Sequence, residues 1–159
     1  MNKQQHMLMK ILQKIRVFDG LEVIEAQTLL SCSYMKQFEK GETVYQMGDP
    51  SDDMLVLILG RLKVMGEDNQ VLVDIPPGTS TGEMGMFTGM PRSATIMAAE
   101  KSVGLMFAED KLNALMMSEP RLKGVVLQNV VELLADRLID ADRKMEGYMK
   151  KIVELGGEV

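Results

Sequence analysis

The sequence predicts an α+β protein: a β sandwich or jelly roll with helices before it and one long helix after it. Three observations predict this. Helical spacing gives way near Cys32 to short β-rich runs divided by turn residues. Those runs recur at even spacing as far as about Phe107, as in sandwich and barrel folds. Beyond them an apolar heptad pattern persists to the end of the chain.

Taken in order, residues 1–33 read as N-terminal helices. From about Lys3 to Arg16, Met7, Ile11 and Ile15 share one face with Leu8 and Leu12 beside it, and Phe18-Asp19-Gly20-Leu21 breaks the pattern. Glu22–Ser31 is helical again. Residues 34–108 carry the strands: Tyr34–Gln37, Glu42–Gln46, the apolar run Met54–Leu59, Leu62–Val64, Val71–Val73, Ala94–Met97 and Ser102–Phe107. Gly66-Glu67-Asp68-Asn69 is the turn expected between Leu62–Val64 and Val71–Val73. Residues 109–159 return to helix, with a short one over Glu109–Met117. Ser118 is the expected N-cap and Pro120 the first-turn residue of a long helix over about 121–155. Along it Leu127, Val131, Leu134, Leu138, Ala141, Met145, Tyr148, Ile152 and Leu155 alternate spacings of 4 and 3. That is a coiled-coil seam, and it makes this helix the expected homodimerisation element. A helix lying along its own domain gives a similar pattern, but at ~1.5 Å per residue this one is roughly 50 Å long and outruns a small domain. Gly147 is a point where it could fray or break.

Composition narrows the classes. Of 159 residues, 46% are hydrophobic and 26% charged, enough for one domain with a full core plus its helix. No apolar run reaches the length of a membrane span, no secretion segment leads the chain, and the single Cys32 has no internal disulfide partner, so a cytoplasmic protein without membrane contact is the default expectation. The net charge of −5 suits a locally basic site for a small anion better than a nucleic-acid surface, and no helix-turn-helix segment is visible. The 16 methionines read as adaptable core filling. A metal site, a cupin-type oxygenase or a metal-dependent phosphodiesterase is excluded by the ligand supply, because His6 is the only histidine and lies outside the barrel; no cofactor is expected. Nor does any Ser–His or Cys–His pair serve nucleophilic catalysis, so no enzyme is expected.

The chemistry is concentrated in 78–95, Gly-Thr-Ser-Thr-Gly-Glu-Met-Gly-Met-Phe-Thr-Gly-Met-Pro-Arg-Ser-Ala-Thr. Gly82 lets a ligand approach the backbone. The residues after it read as one short helical turn whose N–H groups face an anion. Glu83 is an acceptor-only carboxylate suited to a sugar 2′-hydroxyl, and Arg92 offers a planar fork matching two phosphate oxygens, with the Ser93 hydroxyl beside it. The alternatives are plain: Arg92 in a salt bridge, for instance to Glu83; Glu83 as a favourable helix-start charge; Gly85 as packing; Ser93 as a turn cap; and Thr95 as an ordinary strand residue. Asp49, Asp52 and Asp53 form an acidic run read as a solvated turn.

Gly82-Glu83-Met84-Gly85 and Arg92-Ser93-Ala94-Thr95 resemble the phosphate-binding cassette of the cyclic-nucleotide-binding domain family, which includes the bacterial catabolite activator protein and the regulatory subunits of cAMP-dependent kinase. A second signature, Gly48-Asp49-Pro50 through Leu57 and then Leu59-Gly60-Arg61-Leu62-Lys63-Val64, resembles the family's strand, glycine turn and strand. The resemblance covers about Val17 to Met145. It implies a jelly-roll (double-stranded β-helix) barrel and a non-catalytic regulatory domain binding a cyclic nucleotide. The ligand would be cAMP, with cGMP the alternative, held by Gly82, Glu83, Met84, Gly85, Arg92 and Ser93. It also places base contacts on the long helix, with Arg137, Asp140 and Asp142 as candidates against surface ion pairing. Thr81 departs from the family, where an aromatic commonly precedes Gly-Glu. The resemblance implies a protein partner for the output. Two other readings stand beside it: a dimeric scaffold that binds no nucleotide, and the sensing part of a transcription regulator whose DNA-binding domain is elsewhere. The short stretch after the coiled coil, Gly156-Gly157-Glu158-Val159, leads to the expectation of a standalone domain.

Overall fold

In the computed structural model, which describes residues 2–158, one strand organises the barrel. β3 (Asp53–Leu59) is buried on both faces, which is why its sequence is an unbroken apolar run. Leu55 and Leu57 point into the barrel; Met54 and Val56 point to the helices. The other strands are β1 (Ser33–Phe38), β2 (Thr43–Tyr45), β4 (Leu62–Met65), β5 (Val71–Ile75), β6 (Ser80–Thr81), β7 (Thr95–Ala98) and β8 (Ser102–Ala108). They form two four-stranded antiparallel sheets, ordered β1-β8-β3-β6 and β2-β7-β4-β5. This is the jelly-roll expectation met. The β4–β5 hairpin turns through 66–70, with Asn69 in the left-handed region at φ 56. The acidic turn precedes β3, and Gly60, at φ 87, turns the chain from β3 into β4.

Two cores result. Inside the barrel, Phe38, Tyr45, Leu55, Leu57, Leu62, Ile75, Ile96, Ala98 and Met106 interdigitate. Outside the first sheet, Met54, Val56, Leu105 and Phe107 meet the helices. α1 (Lys3–Leu12) starts with a capping box between Asn2 and Gln5. It ends earlier than the sequence pattern suggests. Ile15 turns to extended backbone and a 3-10 turn, Arg16–Phe18, drives Val17 and Phe18 fully into the core. α2 (Val23–Ser31) follows, and Phe18 packs on Phe107 at 5.3 Å between ring centres.

α3 (Glu83–Thr88) lies between β6 and β7; α4 (Glu109–Ser118) and α5 (Pro120–Glu154) end the fold. Ser118 is not the N-cap of α5. It closes α4, its hydroxyl donating to the Leu115 carbonyl at 2.9 Å, and Glu119 takes the cap position with Pro120 at the first turn. α5 buries Leu122, Val126 and Val130 and then leaves the domain: Val131, Leu138, Met145 and Tyr148 are exposed. It runs through Gly147 without a break. Met1 and Val159, the outermost residues of the segments expected at 1–33 and 109–159, lie outside the described residues. Among the described residues no helix is long and apolar enough to cross a membrane.

Candidate functional site

The two sequence signatures are tied together by backbone. The Gly48 N–H donates to the Arg92 carbonyl at 2.9 Å, and the Arg92 N–H donates to the Asp49 carbonyl at 2.8 Å. Arg92 is thereby carried to the start of α3, where a pocket opens between β6, α3, the segment before β7 and α5. Tyr45, Thr81, Ala94 and Ile96 wall it; Gly82, Glu83, Met84, Gly85, Arg92, Ser93 and Arg137 complete the lining.

Gly82 holds φ at +87°, the left-handed conformation that suits glycine. A β-carbon there would sit 2.7 Å from Arg92 Nη1 and 3.0 Å from the Tyr45 ring. Glycine is needed both for the turn into α3 and for room beside Arg92. Gly85 has a different task from lending a surface: a β-carbon would collide with Ser51 Oγ at 2.0 Å, so α3 packs directly on the turn before β3. The first intrahelical bond of α3 runs from Met86 N to Gly82 O at 3.3 Å, which leaves the N–H groups of Glu83, Met84 and Gly85 without a partner inside the helix.

Arg92 is buried at 6% exposure, too deep for an unpaired cation, and its partner is Asp53. Nη2 donates to Asp53 Oδ1 at 2.7 Å and Nη1 reaches the Gly82 carbonyl at 3.3 Å. The guanidinium stacks on Tyr45, 3.6 Å from the ring centre, and the Tyr45 hydroxyl donates to the same Asp53 oxygen at 2.7 Å. Burial, reinforced by the Asp53 charge, pushes the Tyr45 hydroxyl well above its usual range, so it stays protonated as a donor. The reading of Asp53 as part of a solvated turn is therefore corrected: its side chain is 22% exposed and bonded to Arg92 and Tyr45. Asp49 contributes its carbonyl to Arg92, and Asp52 its carbonyl to the Glu109 N–H. Sequence reasoning missed both Tyr45 and Asp53. The signal was available in one form: a buried arginine demands a carboxylate, and Asp53 is the acid that opens the apolar run of β3.

Glu83 is 0% exposed. One carboxylate oxygen, Oε1, accepts from Nη1 of Arg137 on α5; the other, Oε2, has no partner. Arg137 Nη2 also reaches the Ser80 carbonyl at 3.3 Å. Burial pushes the Glu83 carboxyl up from the ordinary carboxylate range, and the Arg137 charge pulls it partway back. Arg92 and Glu83 thus do not pair with each other. Ser93 lies on the exposed rim of the pocket, and Thr95 is a β7 residue whose hydroxyl accepts from the Met47 N–H at 3.1 Å. Of the three long-helix candidates, the structure brings only Arg137 to the pocket. Asp140 stands beside Arg143 at 3.8 Å on the helix surface and Asp142 is exposed. The enclosed space is small, about 70 Å³. Among the described residues no group of three or more His, Cys, Asp or Glu side chains is placed to hold a metal ion.

The arrangement offers a fixed guanidinium, three helix-start N–H groups and a buried carboxylate with an unfilled acceptor. That is a set for an anion and a hydroxyl on one small molecule. Residues 35–119, just over half of the chain, match the family model described as the cyclic nucleotide-binding domain. A solved cyclic nucleotide-binding domain from Methylobacillus flagellatus KT is similar with a TM-score of 0.78 at 27% identity, over 91% of this chain and 84% of that one. The catabolite activator protein of Thermus thermophilus gives 0.71 at 26% identity, over 82% of this chain and 62% of that one. Glutaminase 1 of Bradyrhizobium diazoefficiens is 26% identical over 130 residues, 82% of this chain. The chain spans only 21% and 14% of the length of the first curated relatives it matches.

Proposed function

Since this chain belongs to the cyclic nucleotide-binding domain family, we propose that it is a non-catalytic sensor of a cyclic nucleotide, cAMP in the first instance. The observation that carries the reading is Glu83: fully buried, with Oε2 unpartnered, opening on the same pocket as Arg92. A buried acceptor without a donor is costly, by about 1–3 kcal/mol, and a ligand hydroxyl relieves that cost. The phosphate goes to the α3 N–H groups and Arg92, whose stack on Tyr45 and bond to Asp53 fix its plane before any ligand arrives. The ribose 2′-hydroxyl goes to Glu83. The preference for cAMP over cGMP rests on the likeness of Arg92-Ser93-Ala94 to bacterial cAMP readers.

The exposed seam of α5 supports homodimerisation. Val131, Leu138, Met145, Tyr148 and Leu155 present a row of apolar side chains beyond the domain. In that heptad Arg137 and Asp142 fall at g and e positions, which pair across a parallel two-stranded coil. Output passes through α5 to a partner protein. Titration calorimetry with cAMP tests the binding: saturable heat that falls at least tenfold in affinity in Arg92→Lys supports it, because lysine keeps the charge and loses the fork.

One feature favours a second reading, a dimeric scaffold that binds no nucleotide. All three charged residues of the pocket, Glu83, Arg92 and Arg137, already have protein partners, and the enclosed space of about 70 Å³ is well below the roughly 300–1,000 Å³ of ligand clefts. Absence of saturable heat with either nucleotide would decide for the scaffold.

A further inference from the structure

We propose that Thr81 is a further ligand contact: its hydroxyl, buried on the barrel side of the pocket, bonds to an oxygen on the sugar–phosphate half of the ligand. The identity of that ligand rests on the nucleotide reading.

The two residues of β6 face opposite ways, and the pairing register says which. Ser80 stands opposite Val56 and Thr81 opposite Leu55. Directly opposed side chains of an antiparallel pair share a face of the sheet. Val56 belongs to the core under the helices and Leu55 to the barrel interior, so Thr81 points into the barrel. That interior reaches the pocket, because Tyr45 and Ile96 of the barrel core line it beside Thr81. Thr81 is 6% exposed. Among the described residues its hydroxyl has no hydrogen-bond partner, and the polar groups around it are bonded elsewhere. The Tyr45 hydroxyl goes to Asp53, the Gly82 carbonyl accepts from Arg92, and the Ser80 carbonyl accepts from Arg137.

What this hydroxyl can meet follows from its neighbours. Of the pocket's three hydroxyl side chains, Tyr45 is committed and Ser93 lies on the exposed rim. Thr81 is the buried one with a donor and an acceptor to give. It stands one residue before Gly82, where the turn into α3 begins, and two before Glu83. The phosphate goes to the α3 N–H groups and the 2′-hydroxyl to Glu83, so an oxygen within reach of Thr81 belongs to the sugar–phosphate half and not to the base. The wall beside it is otherwise the Tyr45 ring, Ala94 and Ile96. In such surroundings a hydrogen bond counts for more than on the surface, and its absence costs more.

Calorimetry and urea denaturation of the full chain test the contact. Thr81→Val exchanges the hydroxyl for a methyl group of similar size. It is expected to bind cAMP at least about threefold more weakly than the wild type, with Thr81→Ser, which keeps the hydroxyl, tighter than Thr81→Val. A smaller loss in Thr81→Val, or Thr81→Ser as weak as Thr81→Val, would overturn the proposal. The loss is expected to be the same for every cyclic nucleotide that the wild type binds, since all share the sugar and phosphate. A loss for one and not for another would put the contact on the base and overturn the placement. Without ligand, the urea midpoint of Thr81→Val is expected to equal or exceed that of the wild type, because the hydroxyl has no protein bond to lose. A lower midpoint would show that the hydroxyl serves the fold, against the proposal. A wild type that takes up neither cAMP nor cGMP would overturn the nucleotide reading and this contact together; saturable wild-type binding that Thr81→Val leaves unchanged would overturn the contact alone.

Discussion

Two charge pairs face the same pocket and are built in opposite ways. Arg92 and Asp53 are both carried by the barrel, the arginine is 5% exposed, and Tyr45 locks the pair from a third side by a stack and a hydrogen bond. Glu83 and Arg137 join the barrel to a helix that is leaving it, the arginine is 45% exposed, and one carboxylate oxygen is left over. The first pair is a fixed part of the site with its partners satisfied. The second is half solvated, with an unmet acceptor on the buried member and water within reach of the other. The comparison teaches that two interactions of similar chemistry can be held with different firmness, according to how much water each member can reach and which element carries it.

The largest effect is expected at the Arg92–Asp53 pair. Arg92→Ala leaves Asp53 beside a buried tyrosine without its counter-charge, and should lower unfolding free energy by about 3 kcal/mol. Urea denaturation measures it, and a loss under 1 kcal/mol would show that the pair is not an anchor. Tyr45→Phe removes one hydrogen bond to Asp53 and should cost about 1 kcal/mol by the same assay.

At the Glu83–Arg137 pair the expected stability change is smaller and reversed. Glu83→Gln removes a buried charge whose desolvation outweighs its pairing, so the variant should be as stable as the wild type or more so, while binding cAMP at least tenfold more weakly. The pH dependence carries a sign. Burial raises the Glu83 pKa on folding, so the native state holds the proton more tightly than the unfolded chain. The stability this contributes is present below the ordinary carboxylate pKa of about 4.3 and is lost as pH rises through the raised native value. The advantage of Glu83→Gln should therefore grow from about pH 4.3 upward and then level off. An advantage that grows toward acid would contradict the burial argument. Leu138→Lys, on the exposed seam, should halve the mass measured by light scattering if α5 dimerises. The smallest effects belong to Asp140→Asn and Asp142→Asn, expected to change cAMP affinity less than twofold because neither side chain lines the pocket.

Much of this molecule was legible in its sequence, for local reasons. Strands showed because turn residues separated them, and Met54–Leu59 showed because both faces of β3 are buried. The long helix followed from its heptads. β6 was not legible: two residues, Ser80 and Thr81, are a strand only through their pairing with Leu55 and Val56. The premature end of α1 was hidden because its apolar spacing continues into Ile15, which the structure uses to turn the chain. Within the site, Gly82, Glu83 and Arg92 could be singled out as residue types in a spaced pattern. Their pairings could not, since Asp53 and Arg137 reach them across 39 and 54 residues of sequence and only the folded chain supplies that proximity. A carboxylate and a guanidinium in one motif invite pairing with each other, and the fold instead gives each its own partner.

The most direct test of the central claim is calorimetric titration of the wild-type chain with cAMP, beside Glu83→Gln and Arg92→Lys. Saturable one-site binding in the wild type, weakened at least tenfold in each variant, is expected if Glu83 and Arg92 are the two poles of a nucleotide site. Binding that neither variant alters, or no saturable binding by the wild type, would contradict it.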